Sequence, residues 1–208
     1  MPPPQVFCIA ADIVQRLRDD AGALAAVPAA PASSSSSAGS VGGAGGAAGE
    51  SPFSTLHVRR GDFQFKAAKI PVEEVVATTG GLFRPGELLY VATDEADVSF
   101  LEPLRLAGHA VRTLNDYLPA GERKRLANPD WVGMVEQVVA AQGRVFVGTY
   151  WSTFTAYVVR MRGYQGHAKR SFYSLAKYRD VYATGTERRK GAGWWREWPE
   201  AWEGIDGA

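Results

Sequence analysis

A histidine, two arginines and an aspartate stand together directly after a short apolar stretch of this 208-residue sequence. They are His57, Arg59, Arg60 and Asp62, and Gly61 allows the backbone to bend among them. Guanidinium groups form paired hydrogen bonds with phosphate oxygens, so two arginines at the end of a strand predict a phosphate-bearing ligand. Side chains alternate along a strand, so we expect only Arg59, on the same side as His57, to face that ligand.

Plainer interpretations of the same residues stay open. The arginines could form ordinary surface ion pairs, and His57 could be a core histidine bonded to a backbone carbonyl. No nucleophile can be paired with His57 from the sequence alone. Arg60-Gly61-Asp62 also spells an adhesion tripeptide, but adhesion requires an exposed loop tip and this tripeptide abuts an apolar strand.

A second cluster, acidic, follows the apolar run Leu88 to Ala92. Asp94, Glu95 and Asp97 could hold a divalent metal through their carboxylates, or a carboxylate could accept hydrogen bonds from a purine edge. They could also cap the helix that follows. We favour a ligand contact for Asp94, at the tip of the strand, and capping for Asp97.

A third cluster comprises Ser152, Thr153 and Phe154, where a strand predicted near Val147 gives way to a helix. The two hydroxyls could cap that helix. They could equally bind phosphate together with the backbone N–H groups of the helix N-terminus. Neither the dinucleotide fingerprint nor a Walker A loop is present, which disfavours a dinucleotide oxidoreductase and a P-loop ATPase.

Strands and helices alternate along the body of the chain, which predicts the α/β class with a doubly wound parallel sheet. Carboxyl ends of parallel strands meet at one edge of a sheet, so the three clusters should lie together. Strands are predicted at 53–58, 87–93, 110–114 and 144–148, and helices at 71–79, 98–106, 129–142 and about 153–162.

Four segments of different composition make up the predicted domain organisation. Residues 1–24 contain an amphipathic helix, Val6 to Leu24, expected to pack on the main lobe. Residues 25–52 are rich in Ala, Ser and Gly and are interpreted as a disordered insertion. Residues 53–182 form the lobe, and residues 183–208 form a tryptophan-rich tail, which we interpret as an interface rather than a sugar platform.

The bulk properties are those of an ordinary globular protein. A net charge of +1 gives no global basic field, so we expect neither nucleic acid nor membrane as a partner. Cys8 is the only cysteine, which excludes an internal disulfide and a cysteine-based zinc site. We see no signal peptide at Met1 and no segment long enough to span a bilayer.

Taken together, the motifs resemble those of the GDP-fucose protein O-fucosyltransferase family. The resemblance covers about Phe53 to Gly163, and order and spacing both match. It rests on His57-Val58-Arg59-Arg60-Gly61-Asp62-Phe63, on Leu89-Tyr90-Val91-Ala92-Thr93-Asp94-Glu95, and on Val145-Phe146-Val147-Gly148 with Ser152-Thr153-Phe154 and Arg162-Gly163.

This resemblance implies a Rossmann-like lobe similar to the C-terminal lobe of a GT-B glycosyltransferase. Its donor substrate would be GDP-fucose, with no cofactor and no metal. Arg59 would be the catalytic residue, stabilising the departing diphosphate. The other substrate-binding residues implied are His57 against the nucleotide, Asp94 at the guanine edge, Ser152 and Thr153 on the phosphates and Phe154 in the base pocket. We count Asp62 with these substrate-binding residues and expect it to brace the turn.

The activity implied is inverting transfer of fucose to a Ser or Thr hydroxyl of a protein acceptor in the endoplasmic reticulum or Golgi lumen. In the family an N-terminal lobe precedes the first motif, whereas here only the helix Val6 to Leu24 does. The sequence therefore resembles half of such an enzyme. The alternatives are a non-catalytic GDP-sugar-binding lobe, or a truncated fragment that lacks the N-terminal half of the active site. A missing N-terminal lobe is a further possible partner.

Overall fold

A five-stranded parallel sheet forms the centre of the computed structural model, which describes residues 4–26, 50–61 and 64–181. The strands lie in the order β3-β2-β1-β4-β5. This confirms the predicted α/β class and its Rossmann-like, doubly wound parallel sheet. The strands are β1 (Phe53–Val58), β2 (Leu88–Thr93), β3 (Ala110–Thr113), β4 (Phe146–Gly148) and β5 (Ser171–Tyr173).

Helices cover both faces of this sheet, as parallel crossovers require. The first, fifth and sixth helices pack on one face, and the second and third pack on the other. β1 is buried along its whole length because it packs on both sides. The helices are α1 (Pro4–Ala26), α2 (Val72–Thr79), α3 (Glu102–Leu106), α4 (Leu114–Tyr117), α5 (Trp131–Ala141) and α6 (Thr153–Tyr164).

The α1 helix confirms the amphipathic segment predicted near the start of the chain. Its buried side chains recur at helical spacing and pack against α5 and the strands beneath. Among the described residues, no helix is both long and apolar enough to cross a membrane. The buried residues of α1 are Val6, Ile9, Ala10, Ile13, Val14, Leu17 and Ala21.

Several elements differ from the sequence prediction. The predicted helix at 98–106 starts as a 3-10 helix, Val98–Leu101, and becomes α3 only at Glu102. Pro103 stands in the first turn of α3 and has no N–H to continue the preceding helix. β5 was not predicted, because three residues are too few to show a period. Residues 27–49 of the predicted insertion and the tryptophan tail lie outside the described residues.

Arg162 on α6 is completely buried and joins three parts of the fold. Its guanidinium donates to the end of α5, to the loop that enters β4 and to the start of β5. Burial lowers its pKa to about 9, with a smaller contribution from Arg170. The acceptors are the carbonyl oxygens of Ala141, Gly143, Arg144 and Arg170 and the hydroxyl of Ser171.

We expect Arg162→Met to lower the free energy of unfolding by about 3 kcal/mol or more, because it leaves buried acceptors without donors. Arg105→Met is the matched control, since Arg105 forms a surface pair with Glu102 at 3.5 Å and should cost about 0.5 kcal/mol or less. Urea denaturation of the full chain measures both. Equal effects of the two substitutions would contradict the structural role of Arg162.

Candidate functional site

The order of the strands reverses between β1 and β4, which is the topological switch point where open α/β sheets form a crevice beyond the carboxyl ends of their strands. The chain leaves β1 toward α2 on one face and leaves β4 toward α6 on the other. Open α/β sheets bind ligands at such a point. Residues 57–61 and 149–154 border the crevice, and Asp94 follows the neighbouring strand β2. The structure thus brings the three predicted clusters to one edge, as expected.

The carboxylate of Asp94 holds the turn that follows β1. Val58 pairs with Thr93 in the register of β1 and β2, which places Asp94 beside the turn. Its Oδ1 accepts the N–H of Arg60 at 2.7 Å, and its Oδ2 accepts the N–H of Gly61 at 2.9 Å. A Cβ on Gly61 would overlap the carboxylate, so the close approach requires glycine.

Arg59 is oriented by the same carboxylate. Its Nη1 lies 3.2 Å from Asp94 Oδ2, and 36% of its side chain is exposed at the crevice edge. The sequence assigned Asp94 to the ligand and Asp62 to bracing the turn. The structure shows Asp94 bracing it, whereas Asp62 lies outside the described residues, so its role stays a prediction.

Thr149 links the ends of β1 and β4 across the crevice. Its hydroxyl donates to the carbonyl oxygen of His57 at 3.0 Å and accepts the N–H of Arg59, also at 3.0 Å. The backbone on both sides of Val58 is therefore hydrogen-bonded to the neighbouring strand end. Asp94 and Thr149 together hold the backbone and side chain of Arg59 from opposite sides.

His57 lies beneath the crevice, 4% exposed. Its Nδ1 is 2.9 Å from the hydroxyl of Thr155, and its ring stacks on Phe154 with centroids 4.2 Å apart. Burial lowers its pKa to about 3, although Asp94 acts in the opposite direction. The imidazole is therefore neutral at physiological pH and offers hydrogen bonds and an apolar ring rather than a charge.

The first turn of α6 forms the opposite wall of the crevice. Ser152 occupies the N-cap position but its hydroxyl makes no capping hydrogen bond, so the capping interpretation does not apply to this side chain. Thr153 is exposed at the first helical position. The N–H groups of a first helical turn have no intrahelical partners and favour anions. A Cβ on Gly148 would overlap the side chain of Thr155, so glycine lets α6 start directly against β4.

Two other predicted residues lie away from the crevice. The Nε of Arg60 is 3.6 Å from Glu95 Oε2, and its guanidinium carbon is 5.0 Å from the centroid of the Phe100 ring. Arg59 and Arg60 thus diverge, as strand alternation predicts. Asp97 accepts the N–H of Ser99 at 2.9 Å, which confirms that Asp97 caps the helix that follows.

Sequence reasoning missed Thr149 and Trp151. Thr149 directly follows a predicted strand, so its position was a signal, but its partner on β1 depends on a pairing that the sequence does not reveal. Trp151 has a φ of +61°, a backbone conformation that is energetically unfavourable for a residue other than glycine. Residues in such conformations are often found at functional sites. Its ring contacts Phe65, from the loop after β1, at 5.2 Å between centroids, so aromatic side chains flank the crevice.

These features define a class of protein: a Rossmann-like α/β fold with an arginine, Arg59, held by a carboxylate at its topological switch point. Residues 3–165 match the family model described as GDP-fucose protein O-fucosyltransferase. The chain therefore belongs to this family, and a fucosyltransferase-like function follows from its membership. A search of curated proteins found no match to the chain.

We expect His57 to stay neutral in the folded protein well below pH 6. Its folded pKa of about 3 lies below the ordinary value of 6.5, so the unfolded chain binds a proton first as the pH falls. Stability is therefore lost as pH falls from about 6.5 toward 3. The imidazole NMR signals assigned with His57→Asn should not titrate between pH 7.5 and 5. A midpoint near 6.5 would contradict the buried, neutral state.

We also expect Asp94→Asn to destabilise the fold by about 1 to 2 kcal/mol, because an amide NH₂ cannot accept a backbone N–H. Asp97→Asn is the matched control, since asparagine caps a helix about as well as aspartate, and should cost about 0.5 kcal/mol or less. Urea denaturation compares the two. If both substitutions had the same small effect, Asp94 would not hold the turn.

Proposed function

We propose that this chain binds GDP-fucose and serves in the transfer of fucose to a Ser or Thr hydroxyl of a protein acceptor. The observation that carries this proposal is the position of Arg59. Its guanidinium lies at the switch point of the sheet, held by Asp94 and, through its backbone, by Thr149. A cation held in place at this edge suits a diphosphate, and membership of the family indicates which sugar nucleotide carries it.

The diphosphate would lie between Arg59 and the first turn of α6. Ser152 and Thr153 would add their hydroxyls to the helix N–H groups, the kind of site that binds phosphate without a metal. His57 and Phe154, whose rings stack with centroids 4.2 Å apart, would support the nucleotide from below. A nucleotide contact of Asp94 also stays proposed, through the side of its carboxylate that faces away from the turn.

In the transfer step, the acceptor oxygen would attack C1 of fucose from the face opposite the diphosphate. The bond between C1 and the β-phosphate oxygen breaks, the configuration at C1 inverts, and GDP leaves with the electron pair. Arg59 would stabilise the negative charge that grows on the diphosphate. The proton of the acceptor hydroxyl must pass to a base, and this proposal assigns none of the described residues to that task.

A non-catalytic GDP-sugar-binding lobe is the second candidate function. One observation favours it: the two groups nearest the crevice that could act as a base, His57 and Asp94, already have structural roles. Burial holds the pKa of His57 at about 3, which makes it a weak base, and Asp94 accepts two backbone N–H groups. An N-terminal lobe, completing a GT-B cleft, would then supply the acceptor site and the base. We propose the endoplasmic reticulum or Golgi lumen as the compartment, because the family suggests it.

We expect Arg59→Ala to weaken GDP and GDP-fucose binding at least about tenfold, the loss typical of one charged hydrogen bond. Arg60→Ala is the matched control, because that side chain lies against Glu95 and Phe100, and it should change affinity about twofold or less. Isothermal titration of the full chain measures both. Absence of GDP binding, or equal affinity in wild type and Arg59→Ala, would overturn the nucleotide assignment.

Product analysis then separates the two candidate functions. Incubation with GDP-fucose and Ser- or Thr-containing acceptor peptides should release GDP and fucosylated peptide if the chain is an enzyme. Tight donor binding with neither product would support the binding lobe. Competition by GDP-mannose and UDP-sugars, measured in the same titration, tests whether GDP-fucose is the preferred donor.

A further inference from the structure

A second concave site adjoins the turn that Asp94 holds. It is a cleft of about 500 Å³ beyond the carboxyl ends of β2 and β3, a volume within the range of small-ligand sites. Asp94 pairs with Arg59 on one side and lines this cleft on the other. A nucleoside attached to a diphosphate at Arg59 would therefore have the cleft next to it. Its polar lining comprises Thr93, Asp94, Glu95, Thr113, Asn115, Arg123 and Glu136.

Among the residues that line the cleft, Glu136 has the least evident structural role. It stands on α5 next to the buried Val135 and is itself partly buried. Its closest hydrogen bond comes from the hydroxyl of Tyr90, at the long distance of 3.4 Å. Burial raises the pKa of Glu136 to about 7, with Asp94 adding to the rise and Tyr90 and Arg123 opposing it.

The three carboxylates that line the cleft differ in how far they are occupied. Glu95 accepts the N–H of Asp97 at 3.3 Å and lies 3.6 Å from the Nε of Arg60. Both oxygens of Asp94 accept backbone N–H groups, and one also pairs with Arg59. Glu136 accepts only the long bond from Tyr90 among the hydrogen bonds of the described residues. A ligand entering the cleft would therefore find its strongest available acceptor at Glu136. A carboxylate with two oxygens matches two adjacent N–H donors, the pattern on the edge of a guanine-type base.

We propose that Glu136 determines base specificity, by accepting hydrogen bonds from the ring N–H and the exocyclic amino group of a guanine-type base bound in this cleft. The inference rests on the proposed function, because it takes the diphosphate at Arg59 as the anchor of the nucleotide. Asp94 orients Arg59 and Glu136 selects the base, so the two carboxylates have different tasks. This contact of Glu136 adds to the nucleotide contact proposed for Asp94.

Inosine diphosphate provides the test, because it keeps the ribose, the diphosphate and the ring N–H of GDP and lacks only the exocyclic amino group. Isothermal titration of the full chain at pH 8 should show GDP binding about tenfold tighter than inosine diphosphate. In Glu136→Gln this preference should fall below about threefold. The amide has only one acceptor oxygen, so its NH₂ group would face one of the two N–H donors of the base. Glu122→Gln, in an exposed pair with Arg125, is the matched control and should retain the preference.

The pH dependence of the same ratio tests the proposal without a substitution. Below pH 7 the protonated carboxyl of Glu136 can no longer accept two hydrogen bonds, so the preference for GDP should shrink between pH 8 and 6. The two nucleotides share their phosphates, so phosphate titration cancels in the ratio. The titratable and charged groups that face Glu136 are Tyr90, Asp94, Glu95 and Arg123.

The outcomes separate this inference from the proposed function. If wild type binds no GDP, the proposed function fails and the inference fails with it. If GDP binds in an Arg59-dependent way but Glu136→Gln keeps the preference, only the assignment of Glu136 is overturned. A preference that does not change between pH 8 and 6 overturns it as well, even if Glu136→Gln does not fold.

Discussion

The site depends on one carboxylate, that of Asp94, placed where two parallel strands end side by side. The pairing of Val58 with Thr93 brings the residue after β2 beside the turn after β1. From there Asp94 accepts the backbone N–H groups of Arg60 and Gly61, which lie beyond the end of β1, and it orients the guanidinium of Arg59. A charge-assisted bond to backbone is stronger than a bond between neutral groups, so the turn and the arginine are ordered before any ligand arrives.

This arrangement lets a surface arginine act as a positioned cation. A long side chain in solvent loses rotamer entropy when a ligand captures it, and that cost lowers affinity. In the folded protein, Arg59 is already restricted by its ion pair with Asp94 and by the hydrogen bond from its backbone N–H to Thr149. Part of this entropy is therefore lost during folding and not on ligand binding. Two residues before Arg59, the ring of His57 stacks on Phe154 and carries no charge, because burial keeps the imidazole neutral.

The sequence was sufficient to predict the α/β class, four of the strands and the gathering of three clusters at one edge, because these depend on local periodicity and on the geometry of parallel sheets. It did not predict partners across strands. That Asp94 braces the turn and Thr149 bridges β1 and β4 depends on strand order and register, which local patterns do not encode. Arg162 shows the same limit: an arginine near a helix end is ordinary in sequence, and its burial follows only from where β5 lies.

The distribution of charge at this edge of the sheet indicates which steps of the proposed transfer the described residues could serve. Cationic and N–H groups meet at the crevice, where a diphosphate would gain charge as it leaves. The carboxyl with a pKa near 7, Glu136, lies in the neighbouring cleft, on the side where the nucleoside would be. A base would have to take the proton from the acceptor hydroxyl on the face of C1 opposite the diphosphate, and the proposal does not assign Glu136 to that task. In the proposed transfer, the described residues would therefore serve donor binding and leaving-group stabilisation, and proton removal would fall to a group on the facing side of the crevice.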